Sequence, residues 1–229
     1  MKTLIMKNNR LFIVVFIISI FVISSCDKPD NNLSLNFNYN YFPLELNNEK
    51  EYYVTDITHN SLGSDTMAYF LKEVITQEII DEQGDLAYRV ERFWKIDSLD
   101  DYTIKDVWTS KTTSRTAQKV EENIRYTKLV FPISKGEFWN GNAYNHIGYK
   151  EYYYDSLYGS SVFGSKSYDS TVYVIQNLKN NILEFEEAYE VYGKNIGLIY
   201  KKDIELNINF GNILDINEGH EFEQILLTN

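Results

Sequence analysis

Residues 183–208, LEFEEAYEVYGKNIGLIYKKDIELNI, decide the fold of this chain. In residues 183–191 apolar side chains alternate with glutamates, and residues 196–208 repeat the alternation with lysine, aspartate and asparagine. A period of two is typical of a strand with one face on a core and one in solvent. Gly193 and Asn195 lie between the runs and tolerate the positive φ angles of a hairpin turn. The stretch therefore predicts an antiparallel hairpin whose solvated face carries Glu184, Glu186, Glu187 and Glu190.

The same pattern extends through the rest of the domain. Residues 86–97 alternate in the same way, and Asp81-Glu82-Gln83-Gly84-Asp85 supplies turn chemistry before them. Residues 66–80 are ambiguous, because their apolar side chains follow helical spacing while their β-branched content and the adjoining turn favour a long hairpin. The predicted fold is mainly β, a single antiparallel curved sheet or a partly closed barrel or sandwich.

Composition limits the function classes. The chain has 229 residues, of which 44% are hydrophobic and 15% aromatic, so it is too apolar for disorder. Its 33 acidic and 22 basic residues give a net charge of −11, which argues against a general nucleic-acid binder. A lone cysteine excludes an intramolecular disulfide framework and a cysteine-rich metal site.

The first 25 residues have the pattern of an export signal. Lys2, Lys7 and Arg10 precede the thirteen-residue stretch 11–23, in which Ser19 is the one polar residue. A helix of that length reaches about 20 Å, short of the roughly 30 Å hydrocarbon core of a bilayer. The sequence therefore predicts that residues 1–25 are a cleaved signal peptide.

The end of this segment, Ile23-Ser24-Ser25-Cys26, resembles the lipobox of bacterial lipoproteins. In that family the cysteine thiol receives a diacylglyceryl group, the signal is cut before the cysteine, and the new amine is acylated. The alternatives are a conventional signal peptide with an incidental cysteine, or a short membrane anchor. Lipid attachment at Cys26 also meets the requirement that stable anchoring needs more than one acyl chain.

The mature chain is predicted to have two parts. Residues 26–41 form a lipidated N-terminus and a flexible tether rich in Asn and Asp, and residues 42–229 form the β domain. In the alternative interpretation, the alternation in residues 33–41 makes the second half of the tether the first strand. Without the signal the chain has 19 basic and 33 acidic residues, a net charge of −14, so acyl chains rather than a basic patch would hold it to a membrane.

Three strings of the mature chain resemble a group of outer-membrane lipoproteins from Bacteroidetes: YFPLELNNEKEYYV (41–54), RYTKLVFPISKGEFWNGNAYN (125–145) and YEVYGKNIGLIYKK (189–202). The opening string departs from the group, which more often has a glycine and a tryptophan where this chain has Asn47 to Lys50 followed by Tyr52. The resemblance implies a mostly antiparallel β domain at the outer membrane, and it implies no activity and no catalytic residues.

No catalytic motif stands out. The chain lacks a GxSxG elbow, and His59, His146 and His220 are scattered, so no catalytic residue is assigned. No HxxxH or HExxH spacing is present, so no metal site and no cofactor are predicted. Residues 81–85 and 97–101 carry oxygen ligands for Ca²⁺ but lack EF-hand spacing, and solvated turns explain both more simply.

The best candidate for a recognition surface is residues 137–146, EFWNGNAYNH, since Trp, Tyr and Asn combine stacking area with hydrogen-bond donors and acceptors. The alternative is structural: Trp139 anchors the core, and Asn140 and Gly141 form a turn that needs positive φ. The candidate ligand-binding residues are Trp139, Asn140, Asn142, Tyr144 and Asn145.

The sequence thus predicts a lipid-anchored outer-membrane lipoprotein, on the periplasmic or the cell-surface face, with a non-catalytic β domain. Its predicted partners are the membrane, through the N-terminal lipid, and a glycan, a hydrophobic ligand or an envelope protein, but no nucleic acid. One alternative is a hydrolase acting on envelope or dietary polymers, which would need convergent acids or a histidine beside a hydroxyl. Another is a structural subunit of an envelope assembly.

Overall fold

The structure is a computed structural model that describes residues 37–228. Within this range the chain forms a short 3-10 helix, Tyr39–Tyr41, and twelve strands. The strands are β1 (Glu49–Asn60), β2 (Gly63–Ile80), β3 (Leu86–Lys95), β4 (Thr103–Thr112), β5 (Thr116–Glu121), β6 (Ile124–Val130), β7 (Phe138–Asn140), β8 (Glu151–Phe163), β9 (Lys166–Asn180), β10 (Glu184–Gly193), β11 (Gly197–Asn209) and β12 (Asn212–Thr228).

All twelve strands of the described range belong to one antiparallel sheet, in the order β6-β5-β4-β3-β2-β1-β12-β11-β10-β9-β8-β7. Strands that are consecutive in the chain pair with each other, except β6 and β7, which lie at the two ends of the sheet; β1 pairs with β12 in the middle. The sheet curves until its two ends, β6 and β7, nearly meet, and it is nearly closed into a barrel. The predicted fold class is therefore confirmed.

The seam between β6 and β7 is closed mainly by side chains. The backbone supplies one bond, from Thr127 N to Gly141 O at 2.8 Å. Trp139 Nε1 donates to Thr127 O at 2.9 Å, and the Tyr154 hydroxyl accepts from Val130 N and donates to Val130 O. Edge strands carry unpaired backbone groups that invite pairing with other chains. Here those groups on β6 are hydrogen-bonded within the molecule.

The predicted hairpins are present with their turns. The strand 86–97 is β3, and the hairpin of residues 183–208 is β10 and β11, with Asn195 at φ 62°. Residues 66–80 lie in the eighteen-residue strand β2, so the hairpin interpretation was right and the helical spacing was misleading. None of the helices in residues 37–228 is long and apolar enough to cross a membrane.

The packed domain begins before residue 42. Tyr41 is fully buried, and Tyr39 contacts Phe131 edge-on with a ring-centroid distance of 4.7 Å. Asn195 N also donates to Asn40 O at 2.7 Å. Residues 37–41 therefore lie against the sheet, as a 3-10 helix at residues 39–41 rather than a strand. The signal peptide, Cys26 and the rest of the predicted tether lie outside the described residues.

One interior row of side chains crosses seven strands from β2 to β8. By register it contains Tyr69, Val54, Gln224, Lys201, Glu190, Val174 and Tyr154. The prediction that Glu190 is solvated is wrong, since this residue is 1% exposed. On β10, Glu190 shares its face with the buried Ala188 and Tyr192, and the lysines of facing strands make its burial tolerable.

The outer face of the sheet is also partly covered. The β8–β9 hairpin folds back over β10 and β11, where the Phe163 ring stacks on Tyr200 with a centroid distance of 4.5 Å. Tyr189 lies beside both Tyr173 and Tyr200. This aromatic layer explains why Val191, on the face opposite Glu190, is buried as well.

Candidate functional site

The interior of the sheet opens into a cleft with a volume of about 430 Å³. We call it the charged cleft. Its lining is mainly charged or polar and includes four aromatic side chains: Tyr69, Trp108, Tyr126 and Phe222 stand beside Arg92, Lys119, Glu121, Lys201, Gln224 and others. A smaller inner cavity of about 60 Å³ continues from it and shares Glu73, Lys119, Glu121 and Glu190.

Glu73 is the centre of the first ion-pair cluster of the cleft. Lys119 Nζ lies 3.2 Å from both of its carboxylate oxygens, and Arg92 Nε lies 3.1 Å from Oε1. Arg92 also binds Asp106 and stacks on Trp108, with 3.4 Å between its guanidinium carbon and the ring centroid. Burial disfavours ionisation of Glu73, but the charges of Lys119 and then Arg92 outweigh it and hold the pKa of Glu73 below its ordinary value.

Lys128 is the centre of the second cluster. Its Nζ lies 2.8 Å from Glu190 Oε1 and 2.9 Å from Glu121 Oε1, and all three side chains are largely buried. The Tyr192 hydroxyl donates to Glu190 Oε2 at 2.6 Å. Burial disfavours the charged form of each group, but the Coulomb attraction of the partners lowers the pKa of both carboxyls and raises that of Lys128 well above its usual value.

Three donors beside these clusters make no hydrogen bond and no ion pair among residues 37–228, although Lys201 Nζ lies over the Phe222 ring with 5.4 Å to its centroid. Gln224 is 4% exposed, and its Nε2 makes no hydrogen bond. Its cross-strand neighbour Lys201 has no carboxylate within the 4 Å ion-pair limit. Lys50 lines the inner cavity, also without an ion pair, and burial lowers its pKa to about 8 although Glu73 opposes the shift. A buried amide donor without a partner, such as Gln224 Nε2, is unusual, and the half-buried Lys201 and Lys50 add further donors, so the cleft has unused hydrogen-bonding capacity.

The predicted recognition residues lie at the barrel seam. Trp139 is 9% exposed and packs against Tyr152 and Tyr154. Asn140 Oδ1 accepts from Asn142 N and Lys150 N, both at 3.0 Å. Asn142 is buried, and Asn145 Nδ2 donates to Arg125 O and Asn142 Oδ1. These four side chains build the seam, and Tyr144, 52% exposed, is the member of the set that faces solvent.

Gly141 is required in this loop for a different reason from the predicted one. Its φ angle is not positive. Instead, the ring of Tyr152 packs directly over its Cα, in the space that a Cβ would occupy.

The turn 81–85 binds a positively charged group of the protein itself, the side-chain ammonium group of Lys111. Lys111 Nζ lies 2.7 Å from Asp81 Oδ2, 2.7 Å from Gln83 Oε1 and 2.9 Å from Asp85 Oδ2. In the turn 97–101, Asp97 Oδ1 accepts from Leu99 N and Asp100 Oδ2 from Asp97 N, the pattern of a solvated turn. Among residues 37–228 no group of three His, Cys, Asp or Glu side chains is arranged to hold a metal ion.

The fold brings His59 beside a hydroxyl and a carboxylate that sequence reasoning did not connect with it. Its Nδ1 lies 2.7 Å from Ser64 Oγ and its Nε2 lies 2.7 Å from Glu221 Oε1. His220 pairs with Asp56 at 2.8 Å, and His146 is exposed. The signal for Ser64 is the turn Asn60–Gly63, which makes residues 59 and 64 direct cross-strand partners. No local signal indicates Glu221, which is 162 residues away.

No protein-family model matches the chain, and the comparison with curated proteins gives no match. Among solved structures, an exported protein of Bacteroides fragilis, named as having a YmcC-like fold, is similar with a TM-score of 0.41 and 11% identity. The match covers 80% of this chain and 96% of that one. A protein of Parabacteroides distasonis, named as a lipoprotein, has a TM-score of 0.35 and 11% identity over 81% of this chain and 96% of its own.

A third structure, from Vibrio parahaemolyticus, is named as an outer membrane lipoprotein-sorting protein domain. It has a TM-score of 0.20 and 13% identity, over 79% of this chain and 83% of its own. The first two structures come from Bacteroidetes, the phylum of the lipoproteins that the sequence resembles. At these TM-scores the likeness carries no conclusion about family or function.

Proposed function

We propose that the protein is a lipid-anchored envelope lipoprotein that binds a glycan in the charged cleft. The observation that carries this proposal is the buried Gln224 Nε2, which has no hydrogen-bond partner among residues 37–228. Beside it at the cleft wall, on β11, lies the half-buried Lys201 Nζ, which makes no ion pair within that range. Donors so placed match acceptor oxygens of a bound molecule, because an unmade hydrogen bond at a buried site costs about 1–3 kcal/mol.

The other walls of the cleft fit the same class of ligand. Tyr126 and Phe222 are half-buried and offer ring faces, and Trp108 directs its Nε1 to Glu122 Oε1 at 3.3 Å. A sugar presents both hydroxyl groups and an apolar ring face. Its hydroxyl groups can hydrogen-bond to charged side chains of either sign, and its ring face can stack on aromatic side chains. Arg92 and Lys119 of the Glu73 cluster lie over the Trp108 ring, and Lys128 lies over the Tyr126 ring. These two rings are therefore held in place before a ligand binds, which reduces the entropy cost of binding.

A hydrophobic-ligand carrier is less well supported. Such proteins enclose an apolar cavity, and ligand pockets usually measure about 300–1,000 Å³. The inner cavity of this barrel measures about 60 Å³ and is lined partly by Lys50, Glu73, Lys128 and Glu190. That space suits a few water molecules rather than an acyl chain.

Binding to the proposed glycan is testable by calorimetry. We expect tetrasaccharides of neutral hexoses or of uronic acids to bind the purified domain. Lys201→Met and Gln224→Leu should each weaken binding about tenfold, because each removes one hydrogen bond from a charged or buried donor to the ligand. Lys179→Met is the control, since Lys179 is an exposed lysine paired with Glu184 and Glu186 away from the cleft. No binding across the set, or equal affinities for all variants, would contradict the glycan site.

Membrane attachment through Cys26 is supported by the lipobox, the export signal and the acidic charge of the mature chain. We expect Cys26→Ser to abolish lipid labelling and to move the protein from the membrane fraction to the soluble fraction, because the acyl chains are the proposed anchor. Metabolic labelling with a palmitate analogue and detergent partitioning measure the two effects. Unchanged partitioning of the variant would rule the lipid anchor out, and protease treatment of intact cells would distinguish the two faces of the outer membrane.

A further inference from the structure

Ser64, His59 and Glu221 form a continuous hydrogen-bonded chain at the β1–β2 hairpin, outside the charged cleft. Ser64 Oγ lies 2.7 Å from His59 Nδ1, and Glu221 Oε1 lies 2.7 Å from His59 Nε2. A hydroxyl within reach of a base that a third group orients is the general arrangement of an activated nucleophile.

The chemistry of the three groups fixes the direction of the hydrogen bonds. An ionised carboxylate accepts hydrogen bonds and does not donate them, so Nε2 of a neutral imidazole carries the proton and donates to Glu221. The lone pair of Nδ1 then faces the Ser64 hydroxyl, which donates to it. In this tautomer His59 is placed to take the Ser64 proton, and Glu221 stabilises the imidazolium that results.

The fold holds these groups rigidly while leaving the hydroxyl accessible. His59 and Ser64 are directly opposed in the β1–β2 register, and Glu221 lies on the next strand, β12. The side chain of His59 is 11% exposed and that of Glu221 is 32% exposed, whereas Ser64 is exposed. Gly63, beside Ser64, has no atom within 4 Å of the position of a Cβ, so an approaching molecule meets open space.

We propose that Ser64 is a nucleophile activated by His59, and that this hairpin cleaves small uncharged or cationic acyl esters. Ser64 Oγ forms a bond to the ester carbonyl carbon while its proton passes to His59 Nδ1. The bond to the alcohol oxygen then breaks, and the leaving alcohol takes that proton. Water next attacks the acyl carbon and loses a proton to His59 Nδ1. The bond from that carbon to Ser64 Oγ breaks, Oγ takes the proton back from His59, and the carboxylic acid leaves.

The charge around His59 selects the ester class. A groove of about 390 Å³ begins at His59 and is lined by Glu186, Glu205, Glu218 and Leu206, with His220 paired to Asp56 beside it. These glutamates lie on the neighbouring strands β10, β11 and β12, and their carboxylates repel phosphate and carboxylate esters but tolerate neutral or cationic ones. Leu206 gives the groove an apolar surface for the acyl or alcohol group.

The full mature chain should be treated with an uncharged fluorophosphonate, and the labelled residue mapped by mass spectrometry. We expect a phosphonyl group on Ser64, formed as the P–F bond breaks, and none on Ser61, an exposed serine of the same turn that serves as the matched control. Ser64→Ala should remove the label, Ser61→Ala should retain it, and His59→Gln should slow labelling about 100-fold.

Hydrolysis of p-nitrophenyl acetate gives the second readout, with thermal midpoints confirming that each variant is folded. Glu221 is a positioning residue, and Glu221→Gln places an amide N–H against Nε2, so the proton moves to Nδ1 and the base is lost. We expect the rate of ester hydrolysis by the Glu221→Gln variant to recover at alkaline pH, because hydroxide then takes the Ser64 proton instead of His59. Equal labelling of Ser61 and Ser64, or an unlabelled and inactive folded protein, would overturn the proposal and leave a hydrogen-bonded hairpin of structural role only.

Discussion

Replacement of Lys128 by methionine is expected to lower the free energy of unfolding by about 3–5 kcal/mol at pH 7.5, the usual cost of removing one partner from a buried ion pair. Lys128 pairs with both Glu121 and Glu190, and the Glu190 side chain is 2% exposed. Without the ammonium group, two carboxylates face each other in the interior, and the nearby Tyr192 hydroxyl and the charges of Lys201 and Lys119 compensate for it only in part. Urea unfolding measures the loss.

The pH dependence of this variant identifies the cause. In the wild type the attraction of Lys128 holds the pKa of Glu121 and Glu190 below the values of an unfolded chain. These groups therefore contribute stability above the unfolded pKa of about 4.3, and that contribution is lost as the pH falls through the folded values. In Lys128→Met the carboxyls are expected to protonate more readily, so the difference from wild type should shrink between pH 7.5 and pH 4.5.

Two comparisons isolate the ion pair from packing. Lys179→Met removes an exposed lysine that also contacts two glutamates, and we expect a stability close to that of the wild type because exposed ion pairs contribute little. Adding Glu190→Gln to Lys128→Met removes one of the two buried carboxylates that have lost their ammonium partner, and it should restore part of the stability. A Lys128→Met variant as stable as Lys179→Met, or a loss that does not change with pH, would contradict the role assigned to the cluster.

The strands of this protein are predictable from sequence because the sheet is largely solvated on one face. Alternation in residues 183–208 predicts β10 and β11, and the turn Asp81–Asp85 predicts the start of β3. Helical spacing in residues 66–80 is misleading, because Phe70 packs against Tyr53 on the face opposite the buried Tyr69 and Leu71, and a register shift between Ile75 and Gln77 interrupts the alternation. A strand with apolar groups on both faces loses its period of two.

The charged cleft is not predictable from sequence, because its members come together only when the sheet closes. Lys128 and Glu190 are 62 residues apart in the chain, and each lies in a strand whose other charged residues are at least partly solvated. Local pattern therefore assigns Glu190 to solvent. Gln224 and Lys201 likewise become neighbours through the β11–β12 register, and no spacing rule identifies a donor that lacks a partner.

The loop at residues 139–145 shows that the residue types expected of a recognition surface can also serve the fold itself. Trp, Tyr and Asn provide stacking area and hydrogen bonds, and in this loop they make most of these contacts to other residues of the same protein. Asn145 donates to Arg125 O and Trp139 donates to Thr127 O, so the loop satisfies the open edge of β6. Sequence alone does not show that the two ends of the sheet meet here, and without that fact an exposed binding surface is a reasonable hypothesis.

Trp139→Ala is expected to lower the free energy of unfolding by about 3–5 kcal/mol, the typical cost of deleting a buried aromatic side chain. The indole fills the space beside Tyr152 and Tyr154, with ring-centroid distances of 6.1 and 4.7 Å. The substitution also leaves Thr127 O without its hydrogen-bond donor. Because both losses fall at the seam, amide exchange of β6 and β7 should accelerate more than that of β1 and β12, which pair at the centre of the sheet.

Two further variants separate the contributions of Trp139. Trp139→Phe keeps a ring but removes the Nε1–H, so it should cost about 1–2 kcal/mol. Tyr144→Ala, in the same loop, removes an aromatic side chain that is 52% exposed and should change stability by less than about 0.5 kcal/mol. If Tyr144→Ala were as damaging as Trp139→Ala, or if exchange rose equally in all strands, the seam would not depend on the indole. The loop would then be free for the recognition role that its composition predicts.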